Sequence, residues 1–237
     1  MLTSGARGKR FFQKLHGRIR NGLIVQDLFD ALGRTGIVVC PYFVICEPAP
    51  DAQASPLPPL CAVRPLTVID AGEIARITLR PATQTDLANG LQQFFCLGLF
   101  QEGQLAAYTW ASINSVPVPD SGGAMLFAIA ADEAYFFDMY VAPQHRGSRL
   151  AALLRQSIQR AMAHQGRYRF YSITMAFNRS SRRFKARMGA QEMELRLYLQ
   201  LRWGRLSGID FRLRRWASEL RSPVWTSVRA SSGPADG

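Results

Sequence analysis

The chain has 237 residues, of which 48% are hydrophobic and 19% are charged. That length suits one α/β domain with an extension, or two small domains, and the composition is that of a globular protein with a buried core. The 29 Lys and Arg residues against 17 Asp and Glu leave a net charge of +12. This excess indicates an anionic partner, which could be a nucleotide cofactor, a nucleic acid or an anionic membrane surface.

Metal sites and membrane spans find no support in the sequence. The four cysteines form no CxxC pair, and the three histidines form no HExxH motif, so we predict free, mostly buried thiols and no metal site. The longest apolar run, residues 36–46, is too short to span a bilayer. We expect a soluble cytoplasmic protein, with attachment to the inner membrane face as an open alternative.

The first 60 residues are predicted to form an N-terminal extension. Apolar residues recur at helical spacing over 7–33, with Gly33 as a C-cap, and a strand is predicted over 36–47. Five basic side chains lie within residues 9–20, on the face of a packed helix or on a surface that binds a membrane or partner. Residues 48–60 are rich in proline and alanine and predict a linker.

Residues 61–201 read as a mixed α/β core. In chain order we predict a strand at 61–69, helices at 71–77 (capped by Asp70) and 84–93, and a hairpin over 94–113. A Pro/Gly loop at 116–123 leads into an apolar segment at 124–131, followed by a strand at 134–143 and a helix at 149–166 ending at Gly166. A strand at 167–177, a helix at 179–188 and a strand at 190–203 complete the core. Residues 202–237 form a basic C-terminal element with a disordered tail, and residues 205–221 fit a helix or a strand.

The informative segment is DMYVAPQHRGSRLAALLR, residues 138–155. A strand ends there, a short loop turns, and a helix begins at once. The first turn of a helix has unpaired backbone N–H groups and the positive end of the helix dipole. Gly147 and Ser148 are small, so a phosphate can approach the backbone of the loop, and Arg146 and Arg149 add positive charge. The segment therefore predicts a site for a phosphate-like anion.

Residues Arg146 to Ala151 resemble the [Q/R]-x-x-G-x-[G/A] loop of the GNAT superfamily of N-acyltransferases, with Arg149 in place of the inner glycine. A second stretch, from Asn178 to Gly189, resembles the segment that follows the cofactor-contacting strand in that family. Lys185 stands where many members carry the tyrosine that protonates the departing thiolate. Neither GxGxxG nor GxxxxGK[ST], typical of nucleotide-binding α/β domains, occurs.

The resemblance implies an α/β (α+β) fold of GNAT type: a mixed, mostly antiparallel central sheet flanked by helices, here with an N-terminal helical extension. It implies acetyl-CoA or another acyl-CoA as the cofactor, with the pantetheine arm beside a bulged strand. The cofactor-binding positions that it implies are Met139, Tyr140, Val141, Arg146, Gly147, Ser148, Arg149, Leu150, Ala151, Asn178 and Phe184.

Direct attack of an amine on the thioester is the mechanism that the resemblance implies, and it needs a base for the amine proton. Asp138 is the first candidate and Glu133 the second, while Tyr140 and Tyr171 are candidate acids. A purely structural role for Asp138 at the bulge stays open.

The acceptor is expected to be a small amine or a sugar amine. Two alternatives remain: a binding module for nucleic acid or ribosome that keeps the fold, and an acyltransferase docked on a membrane surface that acts on a cell-envelope or lipid precursor. Both depend on the basic residues 7–20 and 205–221.

Overall fold

The computed structural model describes residues 23–50, 56–78, 83–114, 116–117, 125–201, 209–216 and 224–227. Its α-helices are α1 (Leu23–Arg34), α2 (Ala71–Ile77), α3 (Gln84–Gln93), α4 (Leu150–Ala163) and α5 (Arg179–Arg187). Its strands are β1 (Ile37–Glu47), β2 (Cys61–Pro65), β3 (Phe95–Gln101), β4 (Gln104–Ser112), β5 (Val116–Pro117), β6 (Met125–Ala128), β7 (Glu133–Val141), β8 (Arg169–Met175), β9 (Gln191–Leu201), β10 (Ile209–Arg215) and β11 (Val224–Ser227). The predicted helix before residue 23 and the predicted disordered tail lie outside the described residues.

Two compact units make up the chain, and each combines distant segments. The central unit consists of residues 46–116 and 127–172, and the flanking unit consists of residues 1–45, 117–126 and 173–237.

The sheet of the central unit has the strand order β8-β7-β4-β3-β2. The pairs β2–β3, β3–β4 and β4–β7 are antiparallel, and β7–β8 is parallel. The parallel ladder covers four residues of each strand, from Glu133↔Arg169 to Phe136↔Ser172. This mixed, mostly antiparallel sheet with flanking helices confirms the predicted fold class.

Helices cover both faces of this sheet. The apolar side of α4 is buried against one face, which includes Phe136 and Phe170, and the predicted face of that helix is confirmed because Leu150, Leu153, Leu154, Ile158 and Met162 are all buried. The opposite face packs against α2 and α3 through Ile74 and Leu87. Alternation along the strands therefore divides the core into two layers.

The hairpin is confirmed, since β3 and β4 are joined by a turn in which Glu102 and Gly103 both have positive φ. The predicted strand over 61–69 is wrong in its second half, because β2 ends at Pro65 and residues 68–70 form a 3-10 helix. Asp70 lies at the predicted cap position, but its carboxylate accepts from the Thr67 N–H at 2.8 Å instead of capping α2.

In the flanking unit the strand order is β10-β9-β1, with residues 173–175 of β8 beside β1. Helix α1 runs through Gly33 to Arg34, so Gly33 is not the cap, and Gly36 supplies the positive φ of 93° after the helix. The described part of 205–221 is a strand. It is fastened by Asp210, which accepts hydrogen bonds from Tyr42 at 2.9 Å and from Arg196.

No helix among the described residues is long and apolar enough to cross a membrane. Within the same residues, no three His, Cys, Asp or Glu side chains come together in a group that could hold a metal ion.

Candidate functional site

A β-bulge lies in the second half of β7. Tyr108 of β4 pairs with Tyr140 and Trp110 pairs with Phe137, so two steps on β4 oppose three steps on β7. Asp138 lies inside this interval with a φ of 44°. Aspartate tolerates the left-handed region better than most residues, because its short side chain can bond locally. The extra residue is therefore accommodated at Asp138.

The bulge inverts the alternation of side chains along β7. Before it, Phe136 packs on the α4 side and Phe137 on the α2/α3 side. After it, Met139 and Val141 pack on the α4 side, and Tyr140 packs on the α2/α3 side. Without the bulge, regular pleating would have placed Tyr140 on the same face of the sheet as Phe136, which is the α4 side. The bulge therefore brings Phe137 and Tyr140 to the same face of the sheet.

Asp138 lies near that same face. Burial, followed by the charge of Asp138, raises the pKa of the Cys96 thiol. Cys96 is buried in the α2/α3 cluster, and Asp138 follows Phe137, which packs on the same cluster, directly in the chain. Asp138 and Tyr140 are thus neighbours of one apolar layer.

Aromatic rings form much of this layer. Tyr108 stacks on Tyr140 with ring centroids 5.8 Å apart, Trp110 stacks on Phe137 at 6.2 Å, and Phe94 meets Phe137 edge-on at 5.2 Å. Tyr108 and Trp110 are buried, whereas Phe94, Phe137 and Tyr140 are partly exposed. We call these five rings the aromatic face.

The hydroxyl of Tyr140 is buried and has no hydrogen-bond partner among the described residues. An unsatisfied buried hydroxyl costs about 1–3 kcal/mol, so this oxygen is suited to a bond with a bound molecule. The guanidinium of Arg146 lies over the Tyr140 ring, 5.5 Å from its centroid, and Arg146 Nε also donates to the Val141 carbonyl at 3.1 Å.

Glu133 lies at the other end of β7, about 16 Å from Asp138 at the rise of an extended strand. Its carboxylate is buried, with Oε1 at 3.1 Å from Arg169 Nη2 and Oε2 accepting from the Ala130 N–H at 2.9 Å. Both oxygens are therefore engaged at the start of the strand. The structure does not bring the two candidate bases together. Tyr171 is buried too, and burial raises the pKa of its hydroxyl to about 12.

The loop after β7 holds its shape through local bonds and one glycine. Ser148 Oγ donates to the His145 carbonyl at 2.5 Å, and Gly147 has a φ of 82°. A Cβ added at Gly147 would meet no atom within 4 Å. The position requires glycine for its backbone conformation and not for lack of space.

Helix α4 begins directly after this loop, at Leu150. Arg149 occupies the N-cap position without a side-chain cap bond, and the first turn holds no acidic residue. The N–H of Leu150 donates to Ser148 Oγ at 3.4 Å, and the remaining N–H groups and the dipole of that turn favour an anion. Arg146 and Arg149 are exposed beside it, and the side chain of Leu150 is buried.

Asn178 and Phe184 belong to the flanking unit. Asn178 caps α5, since its Oδ1 accepts from the Ser181 N–H at 3.0 Å, and Phe184 is partly buried on that helix. Lys185 is buried, and its Nζ donates to Thr174 Oγ1 at 2.6 Å and to the Ile173 carbonyl at 3.1 Å. These bonds fasten α5 to the end of β8.

The sequence profile of the acetyltransferase (GNAT) family matches residues 70–190, just over half of the 237 residues. The chain belongs to the GNAT acetyltransferase family. The segment of this GNAT chain that matches includes β7 with its bulge, the loop at Gly147, and helices α4 and α5.

Several solved structures are similar to this chain at low sequence identity. A Drosophila protein is 19% identical over 78% of this chain, with a TM-score of 0.52. A tandem GNAT protein from the clavulanic acid biosynthesis pathway is 14% identical over 71%, also with a TM-score of 0.52. A putative GNAT acetyltransferase from Novosphingobium aromaticivorans is 20% identical over 70%, with a TM-score of 0.49.

This chain covers 57%, 55% and 66% of those three structures, in the same order, which is less than two thirds of their length. At such identities the likeness concerns the fold alone. None of the curated proteins compared with this sequence matches it.

The sequence alone did not predict part of this candidate site. It did not foresee that Phe94, Tyr108 and Trp110 would join Tyr140 in one layer, or that Cys96 would lie near Asp138. The one available signal was the density of aromatic residues in the predicted hairpin and in the strand that pairs with it.

Proposed function

We propose that this chain transfers an acyl group, most simply acetyl, from acyl-CoA to a primary amine by direct attack. The observation that carries the proposal is a single strand that bulges at Asp138, turns Tyr140 onto the aromatic face, and leads through Gly147 into the start of α4. Acid–base groups and an anion site therefore lie within one short stretch of chain.

On the cofactor side, the pyrophosphate of acyl-CoA binds the loop from Arg146 to Ala151, where backbone N–H groups, the helix dipole and two exposed arginines favour negative charge. The pantetheine arm runs along the edge of β7 and bonds to the backbone at Met139, Tyr140 and Val141. Support comes from the ladder with β8, which covers β7 only as far as Phe136. Asn178 and Phe184 are assigned to the thiol end by the family pattern.

In the reaction, Asp138 takes a proton from the acceptor ammonium, and the free amine attacks the thioester carbon. The new N–C bond forms as charge develops on the carbonyl oxygen, which a backbone N–H of β7 stabilises. The C–S bond then breaks, the thiolate takes a proton from the Tyr140 hydroxyl or from water, and the nitrogen gives up its second proton to restore that donor. The ion pair of Glu133 with Arg169 suits a structural role, so we assign the base to Asp138.

Incubation with acetyl-CoA and a library of amines, followed by mass spectrometry of the products, tests the activity directly. CoA is expected to raise the melting temperature, because a ligand that binds only the folded state stabilises it. A protein that binds no CoA and acetylates no amine would contradict the proposal.

The role of Asp138 is tested by two variants, Asp138→Asn and Asp138→Gly. Both remove the carboxylate, and both residues tolerate positive φ, so the bulge should survive. We expect kcat to fall roughly 10²-fold in each while CoA affinity stays the same. If the carboxylate were only structural, at least one of these variants would keep its activity and its pH profile.

Docking to nucleic acid or to an anionic membrane has weaker support. Residues 7–20 lie outside the described residues. On β10, Arg212 and Arg215 lie 3.6 and 3.8 Å from the buried Glu194, so part of their charge is offset within the fold. RNA affinity that falls steeply with salt, or sedimentation of the full chain with anionic vesicles at low salt, would revive these alternatives.

A further inference from the structure

The aromatic face next to Asp138 suggests which amines this chain accepts. We infer that the acceptor is a monoamine carried on an aromatic body, which lies over the aromatic face while its ammonium group pairs with Asp138. The inference rests on the proposed acyl transfer and goes further, since it selects one class among primary amines.

The first argument is how the rings are arranged. Phe137 stacks with Trp110 and also with Tyr135, at centroid distances of 6.2 and 5.8 Å. Tyr140 stacks with Tyr108 and carries the Arg146 guanidinium over its ring. Stacked neighbours thus take up ring faces of Phe137 and Tyr140, which are both partly exposed, so a ligand ring would meet them at their edges.

The partial charge at a ring edge favours some ligands over others. The edge of an aromatic ring carries partial positive charge and its face partial negative charge. Edges therefore attract the face of a ligand ring, as Phe94 already meets Phe137 edge-on at 5.2 Å, and they do not attract a cation. The ammonium of the acceptor has its favourable partner in the Asp138 carboxylate.

The second argument concerns the number of positive charges. The net charge of +12 repels polycations at long range. Polyamines and aminoglycosides therefore fit this site less well than monoamines.

Four probe amines separate the possibilities: 2-phenylethylamine, its saturated analogue 2-cyclohexylethylamine, spermidine and neamine. With acetyl-CoA as donor, we expect kcat/KM for 2-phenylethylamine to exceed that for spermidine and neamine at least tenfold. It should exceed that for the cyclohexyl analogue roughly two- to tenfold, the value of one aromatic pair. Equal or faster reaction of either polycation would overturn the inference, as would an aryl amine that is not acetylated.

Two adjacent phenylalanines on either side of the sheet provide a matched pair of variants. Phe94 packs on the α2/α3 side and Phe95 on the α4 side, and both are partly buried. Phe94→Leu should lower the ratio of kcat/KM for the phenyl amine over the cyclohexyl amine about threefold or more. Phe95→Leu removes the same ring and should leave the ratio unchanged, and a ratio that falls equally in both variants would count against the aromatic face.

Binding of CoA, measured by calorimetry on the full chain, distinguishes a failure of the proposed acyl transfer from a failure of the inferred acceptor class. If CoA does not bind, the proposed function fails. If CoA binds and polycations are acetylated best, acyl transfer stands and the aromatic acceptor is wrong.

Discussion

Replacing Gly147 with valine tests whether the loop before α4 binds the cofactor. Gly147 has a φ of 82°, where a residue with a Cβ costs roughly 1–2 kcal/mol. No atom lies within 4 Å of the added Cβ, so a clash within the protein adds nothing to this cost. The free loop can relax away from the strained conformation, whereas the bound loop cannot if its N–H groups must face the pyrophosphate.

The backbone strain at residue 147 of the variant therefore lowers its affinity for CoA. A penalty of about 1–2 kcal/mol corresponds to a 5- to 30-fold weaker affinity for CoA, and contact between the valine and the cofactor can only increase it. Calorimetric titration of CoA measures the effect, and thermal unfolding of the free variant shows that it is folded.

Gly166 provides the matched control. It lies past the other end of α4 with a φ of 77°, and an added Cβ there also meets nothing within 4 Å. Gly166→Val should therefore carry similar backbone strain and lower the melting temperature, with CoA affinity unchanged. A folded Gly147→Val protein that binds CoA as tightly as Gly166→Val does would remove the loop from the cofactor site.

Two predictions concern stability. The hydrogen-bonded Arg64 guanidinium is the main cause that lowers the pKa of Asp70 from 3.8 to about 2. The ionised Asp70 therefore stabilises the fold fully above pH 3.8, and its contribution is lost as pH falls through about 2. Between these two pH values the free energy of unfolding of Asp70→Asn should change less steeply with pH than that of the unmodified protein. An identical slope in the two proteins would contradict the reasoning. In the core of the central unit, buried Arg155 lies with Nε 3.4 Å from Glu47 Oε2, so Arg155→Met should lower the free energy of unfolding by about 3–5 kcal/mol. Adding Glu47→Gln should restore part of that loss in denaturant titrations, and a double variant that is less stable than the single one would refute the pair.

Local patterns in the sequence were enough to predict the elements around the site. The turn at Gln101–Gln104 and the apolar side of α4 were predicted, because each depends on periodicity or on a residue suited to one turn. The helix ends at Ala163 and not at the predicted Gly166, although Gly166 has a positive φ of 77° just after it. The loop from Arg146 to Ala151 also follows from neighbouring residues, and its likeness to the GNAT motif agrees with the family match over residues 70–190.

Long-range pairing decided the rest. The family resemblance implied a bulged strand, but the pairing of β7 with β4 locates the bulge, and only that register reveals that Tyr140 shares a face with Phe137. Tertiary structure also gives the two carboxylates of β7 different surroundings. Glu133 is buried and forms an ion pair with Arg169, which is distant from it in the sequence. The sequence pattern at 205–221 fitted either a helix or a strand. Pairing with β9 makes its part Ile209–Arg215 a strand. Side-chain direction and electrostatic partners come from residues far apart in sequence, and a local pattern carries no information about them.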